Sequence, residues 1–117
     1  MFLFYSFFVT LALEATPNIQ EVRMTPEKVL EIIETYHKLF AARNIGKIDY
    51  PHDDLFDGEV HGLEHCHGML DKMVEFVREG QMEKVFRWLG FVQGVLWSTR
   101  VYNLTDLKNH NRPPNEE

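Results

Sequence analysis

Residues 61–98 read HGLEHCHGMLDKMVEFVREGQMEKVFRWLGFVQGVLWS, and their periodicity decides the fold. Leu63, Cys66, Leu70, Met73 and Val77 recur at 3-4-3-4 spacing, which is one apolar seam of a helix and predicts a helix over 61–79. Gly62 and Gly68 each weaken it by up to about 1 kcal/mol relative to Ala. Gly80 breaks the register, and a new one begins at once over 81–98, with Met82, Val85, Phe86, Leu89, Val92 and Leu96 on its main face. A connection this short makes the two helices an antiparallel hairpin. Trp88, Phe91 and Val95 form a second apolar strip on the later helix. A helix apolar on two sides needs covering on two sides. Gly90 and Gly94, at i and i+4, allow another backbone to approach closely, while the flanking Glu83, Lys84, Arg87 and Gln93 argue for water rather than lipid around it.

Upstream of the hairpin, Thr25 and Pro26 make a favourable start, a side-chain cap followed by a residue whose missing N–H has no helical partner there. Met24 and Val29 stand at the spacing of a hydrophobic staple. Val29, Ile33, Tyr36 and Phe40 then carry the helical period until Asn44 and Gly46 stop it. Residues 47–59, KIDYPHDDLFDGE, read as a loop, with Tyr50, Leu55 and Phe56 able to pin it to the core. Weak strand character is confined to 45–50 and 101–104. Downstream, Thr105 can cap a short helix through Lys108, and residues 110–117 read as a polar tail.

The N-terminal residues 1–23 stand apart. Phe2 to Leu13 is almost wholly apolar, yet no Lys or Arg precedes Arg23, so the basic region of a signal peptide is missing. Glu14 ends the run well short of the roughly 20 residues of a membrane span. Met24 lies directly before the first helix start, which makes the segment an extension to the domain over 24–109. Signal-like, start-site and partner-contact readings of it all stay open.

Composition narrows the function classes. The chain has 117 residues, 44% hydrophobic and 26% charged, which suits one folded domain. A formal charge of −6 disfavours nonspecific nucleic-acid or anionic-membrane binding. One cysteine excludes an intrachain disulfide and any multi-cysteine zinc cluster. Lys84, Arg87 and Arg100 interleave with Trp88 and Trp97, but they form no basic stripe for nucleic acid.

The densest chemistry is His61-Gly-Leu-Glu64-His65-Cys66-His67. His61 and His65, at i and i+4, share a helix face and can share a metal. The order H-x-x-E-H also matches an inverted zinc-peptidase motif with Glu64 as base, though such enzymes use a further acidic ligand and a substrate-cleft domain. With Cys66 at the seam centre and about 100° per residue, His65 falls near −100°, His61 near −140° and His67 near +100°. One site cannot use all three. A divalent metal, zinc or manganese, held by His61 and His65 needs a third ligand, and Asp57 in the preceding loop is the expected one, with Asp53, Asp54, His37 and His110 as alternatives. The competing reading makes these histidines the polar flanks of an amphipathic helix, and Cys66 a small buried hydrophobe.

Other constellations are weaker. Glu31 and Glu34 have the E-x-x-E spacing of all-α nucleotide pyrophosphohydrolases, but no matching E-x-x-D pair follows. Asp53, Asp54, Asp57 and Gly58 lack the ligand spacing of a calcium loop, and no glycine-rich phosphate cradle occurs.

Residues 69–113, above all RWLGFVQGVLWSTRVYNLTDLKNHNRP, resemble small helical proteins of tailed phages, a likeness of overall pattern that carries no catalytic residue with it. It implies a phage or prophage origin. The expectation is an all-α domain of three main helices, two of them an antiparallel hairpin, plus a short C-terminal helix. Its expected role is that of an interaction or accessory protein, acting on a protein partner and self-associating as a dimer through Trp88, Phe91 and Val95. The alternative is a metal-binding protein or small hydrolase using His61, Glu64 and His65. The expected location is the cytoplasm, that of the host if phage-encoded, with secretion as the competing reading of the apolar N-terminus.

Overall fold

A computed structural model describes residues 24–113 and gives four helices: α1 Pro26–Ala42, α2 Glu59–Arg78, α3 Met82–Ser98 and α4 Leu104–Asn111. No strand occurs among the described residues, so the stretches 45–50 and 101–104 are not sheet. The all-α expectation holds, hairpin included. The apolar N-terminal segment lies outside the described residues.

Each helix end is set by local chemistry. The Thr25 hydroxyl accepts the Lys28 N–H at 3.1 Å, and Pro26 opens α1 as expected. Three helices close with the same backbone motif, in which a residue of positive φ turns the chain so that its own N–H and that of the next residue return to carbonyls of the last turn. Asn44 (φ 57) does this after α1, Gly80 (φ 76) after α2 and Arg100 (φ 65) after α3. The returning bonds include Ile45 N–H to the Phe40 carbonyl at 3.0 Å, Gln81 to Phe76 at 2.9 Å and Val101 to Leu96 at 2.9 Å. α2 starts at Glu59, two residues earlier than the seam suggests, with Gly58 (φ 92) before it. α4 is capped by Asn103 rather than Thr105. The Asn103 side chain accepts the Asp106 N–H at 2.8 Å, and the Asp106 carboxylate accepts the Asn103 N–H at 3.0 Å. That reciprocal pair carries α4 through Asn111, two residues into the segment read as tail.

α2 packs against both α1 and α3, and α4 against α1. The core comprises Val29, Ile33, Tyr36 and Phe40 of α1, Cys66, Leu70 and Met73 of α2, and Val85, Leu89, Val92 and Leu96 of α3, all buried. Burying such side chains stabilises the domain by roughly 1.5–3 kcal/mol each before entropy is counted. Because α2 has neighbours on two sides, its buried arc is wider than its seam. His67, read as a flank, is only 6% exposed. Its ring lies 5.1 Å from Phe40 and 5.6 Å from His37, and Nδ1 donates to the Ile45 carbonyl at 2.8 Å.

A polar knot ties α4 down. The Gln93 amide pairs with Asn111 through two hydrogen bonds of 2.7 and 3.0 Å, and Gln93 Nε2 also donates to the Tyr36 hydroxyl at 3.0 Å. That hydroxyl donates in turn to His110 Nδ1 at 2.8 Å. Burial pushes the Tyr36 phenol up to about 12 and the His110 imidazole below its ordinary value.

Candidate functional site

The loop over 43–58 folds back onto α2. Ile48 N–H donates to the Glu64 carbonyl at 3.2 Å. The Ile48 backbone passes close to Gly68, where a Cβ would stand 3.5 Å from the Ile48 carbonyl oxygen, in ordinary van der Waals contact. The Tyr50 hydroxyl donates to Glu64 Oε1 at 2.7 Å, and this bond raises the phenol pKa. Lys47 donates to Asp71 at 2.9 Å and Lys72 to Asp49 at 3.4 Å, which hold both carboxyls below the usual carboxylate range.

This fold-back creates an open cleft of about 520 Å³ lined by Tyr50, His52, Phe56, His61, His65 and Phe91 among others. Three imidazoles and three aromatic rings therefore face one space. The Tyr50 and Phe56 rings lie 4.5 Å apart, and His61 stands edge-on to Tyr50 at 5.3 Å.

The structure sorts the sequence candidates. His61 Nδ1 is hydrogen-bonded to the backbone carbonyl of Asp57, so Asp57 meets His61 through its main chain rather than its carboxylate. Glu64, the candidate base, accepts from Tyr50 and anchors the loop. Among the described residues, one group of three potential metal ligands brings its donor atoms within 4.8 Å of one another: Asp49, His52 and His65. His65 is thus the one member of the expected His61, His65 and Asp57 set that belongs to it. Sequence reading missed Asp49 and His52, which sit three apart in a loop with no period. The usable signal was the loop's own apolar residues, Ile45, Ile48 and Tyr50. Cys66 is fully buried, and desolvation pushes its thiol up to about 12, which removes it as a nucleophile.

The outer side of α3 is the second candidate surface. Of the residues expected at a dimer contact, two are engaged within the chain. Val95 packs on α2 where Gly62 leaves room, since a Cβ at 62 would meet Val95 Cγ1 at 3.3 Å. Trp88 is half-buried, edge-on to Phe76 at 5.0 Å, and the Lys84 ammonium lies 4.1 Å from the Phe76 ring centre. Phe91 remains 53% exposed, as are Trp97 (53%) and Phe86 (41%), the last read from sequence as core. Phe86, Gly90, Gly94 and Trp97 fall within about 80° of arc at 100° per residue. A Cβ at Gly90 or Gly94 would meet nothing within 4 Å. No helix among the described residues is long and apolar enough to cross a membrane.

Comparison of the chain with protein-family models, with curated proteins and with solved structures finds no match. The likeness to phage proteins therefore rests on sequence pattern alone.

Proposed function

We propose that this is a small helical interaction protein that presents the outer face of α3 to a second copy of the chain. The observation that carries the reading is the pairing of half-exposed Phe86 and Trp97 with the open glycine positions 90 and 94 on one helix face. Exposed aromatic rings grouped on one face mark contact surfaces more than scattered ones do. Two glycines one turn apart let a second backbone come close between them.

Magnitudes set the expected strength. Two aromatic side chains of roughly 200 Å² each, about half exposed, offer about 200 Å² per chain. A standard stable interface buries about 800 Å² per partner. The contact is therefore weak and concentration-dependent unless the neighbouring polar side chains join it.

Size-exclusion chromatography with light scattering on the full chain tests the reading. A dimer is expected at tens of micromolar, dissociating on dilution, and the doubly substituted Phe86→Glu/Trp97→Glu chain is expected to be monomeric. Both positions are exposed, and circular dichroism checks that the substituted chain keeps its helices. A clean monomer for the unsubstituted chain refutes the proposal. So does a dimer that persists in the doubly substituted chain, because the contact would then lie elsewhere.

A further inference from the structure

From the geometry of the loop on α2 we infer that Asp49, His52 and His65 form a zinc site, independent of the proposed α3 contact. Asp49 Oδ1 stands 3.5 Å from His52 Nε2 and 3.9 Å from His65 Nδ1. Tetrahedral zinc with bonds of 2.0–2.1 Å holds its ligand atoms about 3.3 Å apart. The two carboxylate–imidazole pairs thus need to close by about 0.2 and 0.6 Å, and the donor atoms of the two imidazoles lie within 4.8 Å of each other and must close as well. The His52 side chain, 82% exposed, is free to make that movement.

The surroundings support the carboxylate. Lys72 takes Asp49 Oδ2, which leaves Oδ1 turned toward the two imidazoles. Outer partners that fix a ligand in this way are a regular feature of metal sites. The Lys72 charge also opposes a cation, and the Tyr50 N–H occupies His65 Nδ1 at 3.3 Å, a long bond that a metal would replace. Both weaken the site without closing it.

Two imidazoles are borderline donors and the carboxylate a hard one, and in the usual affinity order zinc ranks above manganese and ferrous iron for such a nitrogen–oxygen set. Magnesium and calcium prefer all-oxygen sites. Three protein ligands leave a fourth position for water or a donor atom of a bound molecule. His52 and His65 also line the 520 Å³ cleft, so a molecule held there could reach that position.

The test is calorimetric titration of the full chain with zinc chloride, with cobalt(II) absorption as a second readout of tetrahedral geometry. One zinc per chain is expected at tens of micromolar protein, with tighter binding than manganese. His52→Ala and Asp49→Asn, both at exposed loop positions, are each expected to weaken binding at least tenfold while circular dichroism stays unchanged. His61→Ala is expected to leave binding intact. Absence of stoichiometric zinc overturns the inference. A loss in His61→Ala as large as in His52→Ala also overturns it, because the i, i+4 pair on α2 would then be the site.

Discussion

Replacing Tyr36 with Phe removes one oxygen at the centre of the polar knot and leaves the ring volume in place. That oxygen accepts from Gln93 Nε2 and donates to His110 Nδ1. Gln93 is 9% exposed, so in the variant one of its two amide hydrogens keeps Asn111 while the other faces no partner. An unsatisfied buried donor costs about 1–3 kcal/mol, and the His110 bond, at a half-buried site, adds about 0.5–1 kcal/mol. The sum is about 2 kcal/mol or somewhat more. For a domain of this size each kcal/mol lowers Tm by about 4–8 °C, so the expected drop is roughly 8–16 °C. Urea unfolding followed by circular dichroism measures it, with the m-value expected to stay constant. The double variant Tyr36→Phe/Gln93→Leu is expected to lose less than the sum of the two single changes, because each removes the other's partner. A Tyr36→Phe variant within about 0.3 kcal/mol of the parent, or strict additivity in the cycle, would refute the knot as described.

Two further outcomes follow from single features. Arg100 ends α3 at φ 65 with its side chain exposed. Arg100→Gly is expected to raise stability by about 0.5–1 kcal/mol, read by thermal unfolding, since relief of the left-handed backbone outweighs the added freedom of the unfolded chain. Acid should destabilise the fold in two stages. Burial lowers the His110 and His37 pKa values below the ordinary 6.5, so the unfolded chain takes up these protons first. Stability is therefore flat above about pH 6.5 and falls as the pH drops below it. Asp49 and Asp71 have pKa values lowered below 3.8, so their contribution holds above that pH and is lost as the pH falls through the folded values. Denaturant midpoints measured from pH 8 to pH 3 check both stages, and a midpoint unchanged between pH 7 and pH 5 contradicts the first.

Helix number, order and ends were largely legible because they depend on neighbours in sequence. Thr25 and Pro26, Asn44 and Gly80 act through backbone groups within a few residues, and the structure uses each as read. The failures share a different cause. Gln93 and His67 looked like solvent-facing flanks because the polar groups that satisfy them arrive from distant segments, Tyr36 and Asn111 for one and the Ile45 carbonyl for the other. Phe86 looked like core because periodicity gives the apolar arc of a helix but not how far a neighbour covers it. Asp49 and His52 carry no period at all, and their approach to His65 is set by where the loop lands on α2.

The chain also has a natural seam for division. The bonds of the loop to α2 fall between Ile45 and Tyr50 and again at Asp57, whereas Leu55 between them stands wholly clear of the protein. Scission beside Leu55 would yield one fragment bearing α1 with the anchored half of the loop and another bearing α2 to α4. The Tyr36 side chain meets Gln93, Tyr102 and His110, and the Phe40 ring meets His67, all in the second fragment, so the halves would recognise each other through the same hydrophobic and hydrogen-bonded surfaces that now join them. A complementing pair of this kind would turn an ordinary surface connection into a reporter of proximity between whatever is fused to each half.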